Sequence, residues 1–205
     1  VVDIREEAQI AEAVARAVAR FGGIDICVNN ASAISLTGTL QTPMKRYDLM
    51  MDINTRGTFA TTQACLPHLK QAANPHVLTL SPPPQLKPEW FAPHTAYTIA
   101  KYGMSLCTLG WAGEFKDDGI GVNALWPRSV IATAALQMIP GVDTSGARVP
   151  AIMGDAAHAI LTREAGACTG NFFIDDEVLA EEGITDLEPY AVKPGTPLTK
   201  DLFLD

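Results

Sequence analysis

Cysteine is scarce and dispersed: Cys27, Cys65, Cys107 and Cys168 form no CxxC pair, so neither a thioredoxin-like redox motif nor a zinc ribbon is encoded. A disulfide framework is not expected, and a reducing compartment suits such thiols. Basic residues are in deficit, 15 against 23 acidic ones, giving a formal net charge of -8 over 205 residues. That excludes general affinity for nucleic acid or for anionic membrane surfaces. No apolar run reaches the roughly 18 residues of a membrane span. His68, His76, His94 and His158 show neither HxH nor HxxxH spacing, so no metal site is indicated. Ser81 lies between Leu80 and Pro82 rather than in a GxSxG elbow, which argues against a hydrolase built on it. Residues 1–5 have neither the basic start nor the apolar stretch of a signal peptide and read as the end of a strand, as though the chain opened within a domain. With no anchor and no C-terminal SKL, a cytoplasmic location is the expectation.

Apolar residues make up 47% of the chain and charged ones 19%, enough for one sizeable core. Ile10, Val14, Ala17, Val18 and Phe21 recur at helical spacing before Gly22-Gly23, so a helix is expected from Asp3 or Arg5 to residue 21. Residues 24–28 form a short apolar run suited to a buried parallel strand. A helical stretch over 43–70 follows, with a break near 52–54. Strands are expected at 76–81, 119–126 and 171–174, and helices at 94–116, 133–138 and 149–163. Beyond Asp175 an acidic, then proline-containing tail is expected to wrap the same domain with little regular structure. Helices alternating with strands mean an open parallel sheet covered on both faces, with a ligand lying off the carboxyl ends of the strands. Those ends are 29–32, Ser81 and 126–128.

Chemistry gathers at these ends. Tyr97 and Lys101 stand one turn apart on one helix face, where an ammonium lowers the pKa of a phenol and lets it exchange protons near neutrality. Two such residues at this spacing also arise by chance. Ser81 ends a strand upstream of Tyr97, where a hydroxyl can steady developing negative charge on a carbonyl oxygen; it can equally satisfy backbone. Asn54 lies inside the long helical stretch, a position that marks a bend or a held water. The small residues of 29–32 allow a ligand close to the backbone, and Pro127 redirects the chain so that the backbone after it can grip a planar amide. A plain turn explains either loop as well.

In this order the pieces match one family. Over residues 1–175 the chain resembles the short-chain dehydrogenases/reductases, through Asn29-Asn30-Ala31, Asn54 with Gly57, Ser81, Tyr97 with Lys101, and Pro127 with Thr133. The stretches NNASAISL, YTIAKYG, VNALWP and GNFFID narrow the resemblance to one group within it. The resemblance implies a Rossmann-type doubly wound parallel sheet and an oxidoreductase moving a hydride between NAD(P)(H) and a carbonyl or alcohol. It implies Tyr97 as general acid/base, with Lys101 lowering its pKa and binding the nicotinamide ribose. Ser81 orients the carbonyl and Asn54 holds a relay water. Asp3 and Ile4 sit beside adenine, Asn30 and Ala31 beside the adenosine ribose, and the backbone near Val130 and Ile131 at the carboxamide, with Pro127 and Thr133 also among the implied cofactor-binding residues. The implied cofactor is NAD or NADP, the latter preferred. The partners are a small-molecule substrate and further copies of the chain, as a homodimer or homotetramer packed through 54–70 and 97–116.

The chain departs from the family pattern at Ser32 and Arg128, where glycines are usual, and in a longer, proline-bearing gap between Ser81 and Tyr97. The family's glycine-rich TGxxxGxG turn is not in the sequence; residues 141–146 (GVDTSG) follow no strand. The first βαβ part is therefore expected to precede residue 1, as roughly 60 further residues. Two other functions stay open: a non-catalytic scaffold that keeps the fold, and an epimerase or dehydratase using the same Tyr/Lys pair.

Overall fold

The computed structural model describes residues 1–137 and 143–205. Four parallel strands form one sheet in the order β1 (Ile26–Asn29), β2 (His76–Thr79), β3 (Gly121–Trp126) and β4 (Phe172–Ile174). The helices are α1 (Glu7–Phe21), α2 (Met44–Met50), α3 (Thr58–Leu69), α4 (Thr95–Glu114), α5 (Ala134–Gln137), α6 (Ala151–Leu161) and α7 (Asp175–Glu181). Position 138 of the expected short helix, and positions 141–142 of the glycine-bearing stretch, lie outside the described residues.

The two faces of the sheet follow from strand alternation. Val77 and Val122 point to one face, where they pack with Leu69 of α3 and Trp111 of α4, and Val14 of α1 joins them. Leu78 and Leu125 point to the other, against Ile152, Ala156 and Ile160 of α6 and Val178 and Leu179 of α7. Strands β2 and β3 are buried along their whole length, which is why they read as continuous apolar runs. This is the doubly wound arrangement.

Three expectations change. Strand β1 is covered on one face only: Cys27 and Asn29 are buried, whereas Ile26 and Val28 are 43% and 48% exposed. It is an edge strand, and among the described residues no helix covers its second face. Residues 175–181, expected to be irregular, form α7; Asp175, Asp176 and Glu177 fill its first turn, where negative charge is favoured. Phe21 closes the apolar series of α1 yet is 78% exposed, so the buried stripe of that helix ends before it. The expected break in the long helix is a π-helical segment, Met51–Gly57, inserted between α2 and α3.

A buried amide joins the last two strands. Asn123, fully buried on β3, donates from Nδ2 to the Cys168 carbonyl at 2.7 Å. Its Oδ1 accepts from the Asn171 backbone at 3.1 Å and from Asn171 Nδ2 at 2.9 Å. A buried polar side chain satisfied on both sides fixes β4 in place beside β3.

Candidate active site

The carboxyl ends of β1, β2 and β3 converge with α4, the π-helical segment and the C-terminal residues. The approach of α4 to the π-helical segment depends on glycine. A Cβ added at Gly103 would lie 2.3 Å from Thr55 Oγ1, and one added at Gly57 would lie 2.6 Å from Ile4 Cδ1. Thr55 Oγ1 donates to the Ala100 carbonyl at 3.1 Å, locking the two elements together one residue before Lys101. The neighbouring Asn54 is fully buried, and its amide clasps the backbone of Ala33: Oδ1 accepts from Ala33 N at 2.7 Å and Nδ2 donates to Ala33 O at 3.0 Å. Asn54 thus fixes the loop after β1. Its expected water-holding part falls to the hydrogen-bonding capacity left over, one N–H and one lone pair. Asn29 assists from the strand end, donating from Nδ2 to Thr62 Oγ1 at 2.9 Å.

Lys101 is buried on α4. Its ammonium donates to the Leu80 carbonyl at 2.9 Å, one residue before Ser81, contacts the Met104 sulfur at 3.8 Å, and lies 5.1 Å from the centre of the Trp126 ring at the end of β3. Burial pulls its pKa down to about 8, with Asp201 acting in the opposite sense. Tyr97 is buried one turn earlier, edge-on to His94, with centroids 5.9 Å apart. Its phenol was expected to ionise more easily beside the ammonium. In the structure its pKa is pushed up instead, by burial first and by Asp201 second. The Lys101 ammonium is directed to the Leu80 carbonyl and the indole face of Trp126. Ser81 is 1% exposed, and among the described residues its hydroxyl has no hydrogen-bond partner.

That orphaned hydroxyl is what a substrate carbonyl would satisfy. An ammonium has three donors, so Lys101 keeps capacity for a ribose hydroxyl. The pair therefore fits a nicotinamide cofactor. Asn30 and Ala31 are exposed at the end of β1 and open to a ligand. Asp3 and Ile4 are brought to the same end, but the Asp3 carboxylate is clamped by Arg5 at Nε (2.9 Å) and held down to a pKa of about 2 by that hydrogen bond, while Ile4 presses on Gly57. Beyond Pro127, Val130 N donates to Thr199 O and Val130 O accepts from Arg148 N, each at 3.0 Å. The backbone of Val130 is therefore occupied, in contrast to its expected contact with a carboxamide. Ile131 N takes part in none of these bonds, and Thr133 Oγ1 accepts from Leu136 N at 3.4 Å at the start of α5.

Two of the departures from the family pattern, Arg128 and the long gap, are tied into the structure locally. Arg128 keeps ordinary negative φ. Its backbone N–H donates to Asp175 Oδ1 at 2.8 Å, and its guanidinium meets Asp176 at 3.0 Å, at the start of α7. The long gap after Ser81 is tied to α4: Ser105 Oγ donates to Pro82 O at 2.7 Å and Tyr102 Oη to Gln85 O at 3.0 Å. Sequence reading missed Thr55 and Trp126 as the partner of Lys101. The first had a signal, since it follows Asn54 directly; the second meets the site only through tertiary packing. Among the described residues no group of three His, Cys, Asp or Glu could hold a metal, and no helix is long and apolar enough to cross a membrane. All four cysteines are free thiols.

A family model described as enoyl-(acyl carrier protein) reductase matches residues 1–172. The chain belongs to the short-chain dehydrogenase/reductase family. It is 59% identical over 207 residues to hydroxysteroid dehydrogenase-like protein 2 of Xenopus tropicalis, and 57% over 206 residues to that of Danio rerio, covering 100% of this chain and 49% of each relative. This is the group to which the sequence stretches pointed. The chain spans about half the length of these curated relatives. Among solved structures it is similar to a protein from Xanthomonas campestris described as a dehydrogenase, at 64% identity and a TM-score of 0.96 over 99% of this chain and 75% of that one. It is also similar to a short-chain dehydrogenase from Mycobacterium thermoresistibile, at 50% identity and a TM-score of 0.93 over 100% of this chain and 73% of that one.

Proposed function

We propose that the complete protein is an NAD(P)(H)-dependent oxidoreductase acting on a carbonyl or alcohol, and that this chain carries its proton-handling half. The observation that carries the reading is the buried Ser81 hydroxyl, without a hydrogen-bond partner among the described residues, beside the carbonyl that anchors Lys101. Ser81 donates to the carbonyl oxygen of the substrate and holds it near Tyr97. Tyr97, kept protonated by burial, gives its proton to that oxygen in the direction of reduction. Lys101 binds the ribose hydroxyls and compensates the phenolate that results. Nicotinamide, when bound, supplies the hydride. Asn54 keeps the loop at Ala33 shaped for the adenosine side.

In this reading the rest of the family domain adds strands at the edge of β1, lays a helix over the exposed Ile26 and Val28, and brings the glycine-rich turn. A titration of NADH and NADPH followed by nicotinamide fluorescence tests this. The protein extended to the length of the family domain is expected to bind one of them, whereas the 205-residue chain alone binds at least tenfold more weakly. If neither protein binds either cofactor, the oxidoreductase reading fails and a scaffold takes its place.

Homo-oligomer formation belongs to the same proposal. Phe59 on α3 and Ile99, Leu106 and Leu109 on α4 are 39–58% exposed on the two helices expected to pack between copies. Sedimentation of the extended protein is expected to give a dimer or tetramer, and Leu106→Glu to shift it toward monomer. A monomer before substitution removes the idea.

A further inference from the structure

We propose that residues 199–205 are a strap that holds the proton-handling pair in place, and that Phe203, carried on it, is a positioning residue acting through Tyr97 and Trp126. The inference rests on the reading of Tyr97 and Lys101 as that pair. The strap joins two loops that border the reactive end of the sheet. On one side it is bonded to the chain beyond β3. Thr199 O accepts from Val130 N at 3.0 Å, Asp201 N donates to Arg128 O at 3.1 Å, and Thr199 N donates to Gly146 O at 2.9 Å. On the other it meets the long gap after Ser81, where Gln85 Nε2 donates to Phe203 O at 3.3 Å and Lys87 pairs with Asp205. Gly146 permits the approach. A Cβ added there would lie 2.6 Å from Thr199 Oγ1 and 2.7 Å from the backbone oxygen of Pro197, which cannot turn aside as a side chain can.

At the centre of the strap, Phe203 has no exposure and meets the rings of Trp90, His94, Tyr97, Tyr102 and Trp126 at centroid distances of 5.3–6.2 Å. Its ring is where α4, the end of β3 and the loop after Ser81 come together. Phe203 is also the one non-glycine residue at positive φ (71°) among the described residues. A bulky side chain there is strained, and such conformations persist where the surroundings impose them and cluster at functional sites. Two hydrogen bonds bracket this one, since Leu202 O accepts from Trp126 Nε1 at 2.9 Å and Phe203 O accepts from Gln85.

Both members of the pair depend on this ring. Among the described residues the Tyr97 hydroxyl makes no hydrogen bond, so packing alone sets the direction of the phenol. Two aromatic rings meet it: His94, at the head of the same helix, and Phe203, at 6.2 Å. Lys101 is reached through Trp126. The ammonium lies 5.1 Å from the centre of the indole ring, whose N–H is held by Leu202 and whose face or edge meets Phe203 at 5.9 Å. The strap therefore sets where phenol and ammonium stand relative to each other. Rate falls steeply when reacting groups move by an ångström, so a side chain that only packs can govern turnover.

The test replaces Phe203 by leucine in the extended protein, which keeps an apolar side chain and removes the ring. In Phe203→Leu kcat is expected to fall about 10- to 100-fold, while nicotinamide binding stays within about threefold. A [13Cε]lysine-labelled sample gives a second readout, the Lys101 resonance, assigned by its loss in Lys101→Met. That resonance senses the Trp126 ring and is expected to be displaced in Phe203→Leu as the indole shifts. Gly146→Ala moves the strap at Thr199 and keeps the Phe203 ring, so a displacement there cannot come from loss of the ring itself. It carries both expectations, and it stands alone should Phe203→Leu fail to fold. An unchanged Lys101 resonance in the folded variants overturns the proposal whatever the turnover. A displaced resonance with unchanged kcat overturns it as well, because the pair would then tolerate the movement. Absence of turnover in the unsubstituted protein, with the resonance displaced as expected, counts against the oxidoreductase reading and leaves the hold of the strap on Lys101 standing.

Discussion

Tyr97→Phe in the extended protein is expected to abolish carbonyl turnover by 10²- to 10⁴-fold, the usual size of a positioned general acid, and to leave nicotinamide binding within about threefold. The substitution is clean because of where the phenol sits. Among the described residues the hydroxyl of Tyr97 makes no hydrogen bond, so its removal breaks nothing in the fold. The ring contacts with His94 and Phe203 survive in phenylalanine. Deleting one hydroxyl therefore separates chemistry from structure. The melting temperature is expected to stay within about 3 °C, corresponding to less than about 1 kcal/mol for a domain of this size. Steady-state kinetics and cofactor fluorescence on the same sample decide the matter. Wild-type turnover in the variant takes Tyr97 out of the proton path. Loss of cofactor binding together with turnover shows that the ring, not the hydroxyl, is what the site needs.

How far the site was legible depends on how local its causes are. Tyr97 and Lys101 share a helix, so their spacing alone puts them on one face, and the structure keeps them there. Ser81 lies two residues past β2, whose apolar run announces the strand; the expected end at 81 falls at Thr79 instead. Asn54 was visible as a misfit in a helix, and the misfit is real: it lies in a π-helical segment. What its side chain grips was not visible, because Ala33 is 21 residues away in sequence. The same limit explains the tail. Nothing in an acidic, proline-containing stretch shows that Phe203 enters an aromatic cluster. The pKa of Tyr97 was misjudged for a related reason. A pairwise argument gives the ammonium to the phenol, whereas tertiary packing gives it to Leu80 and Trp126 and buries the phenol. Exposure of Ile26 and Val28 was equally hidden, since apolar composition describes what a strand face needs and not whether a partner covers it.

Gly103→Ala is expected to be the most damaging single-methyl addition near the site. The new Cβ would stand 2.3 Å from Thr55 Oγ1 and 2.8 Å from Thr55 Cγ2. Threonine is β-branched and stiff at χ1, and its hydroxyl is held by the Ala100 carbonyl, so it cannot swing clear without giving up that bond. Either α4 moves off the π-helical segment or the bond at Ala100 breaks. Overpacking of this kind costs about 1–3 kcal/mol, a fall of roughly 2–12 °C in melting temperature at this chain length. The usual gain from replacing a helical glycine by alanine, about 1 kcal/mol, is too small to offset it reliably. Thr55→Ala provides the control. It removes Oγ1 and Cγ2 and leaves only the Thr55 Cβ position, at 3.1 Å. The double variant is expected to regain at least half of what Gly103→Ala loses, a coupling that thermal or urea denaturation reads directly. Additive losses mean that the clash is relieved elsewhere. The consequence for the site follows from geometry. Thr55 is the residue after Asn54, and Ala100 is the residue before Lys101, so a displacement at this contact is passed to both. Turnover is therefore expected to fall more steeply than stability in Gly103→Ala, and to return with the double variant.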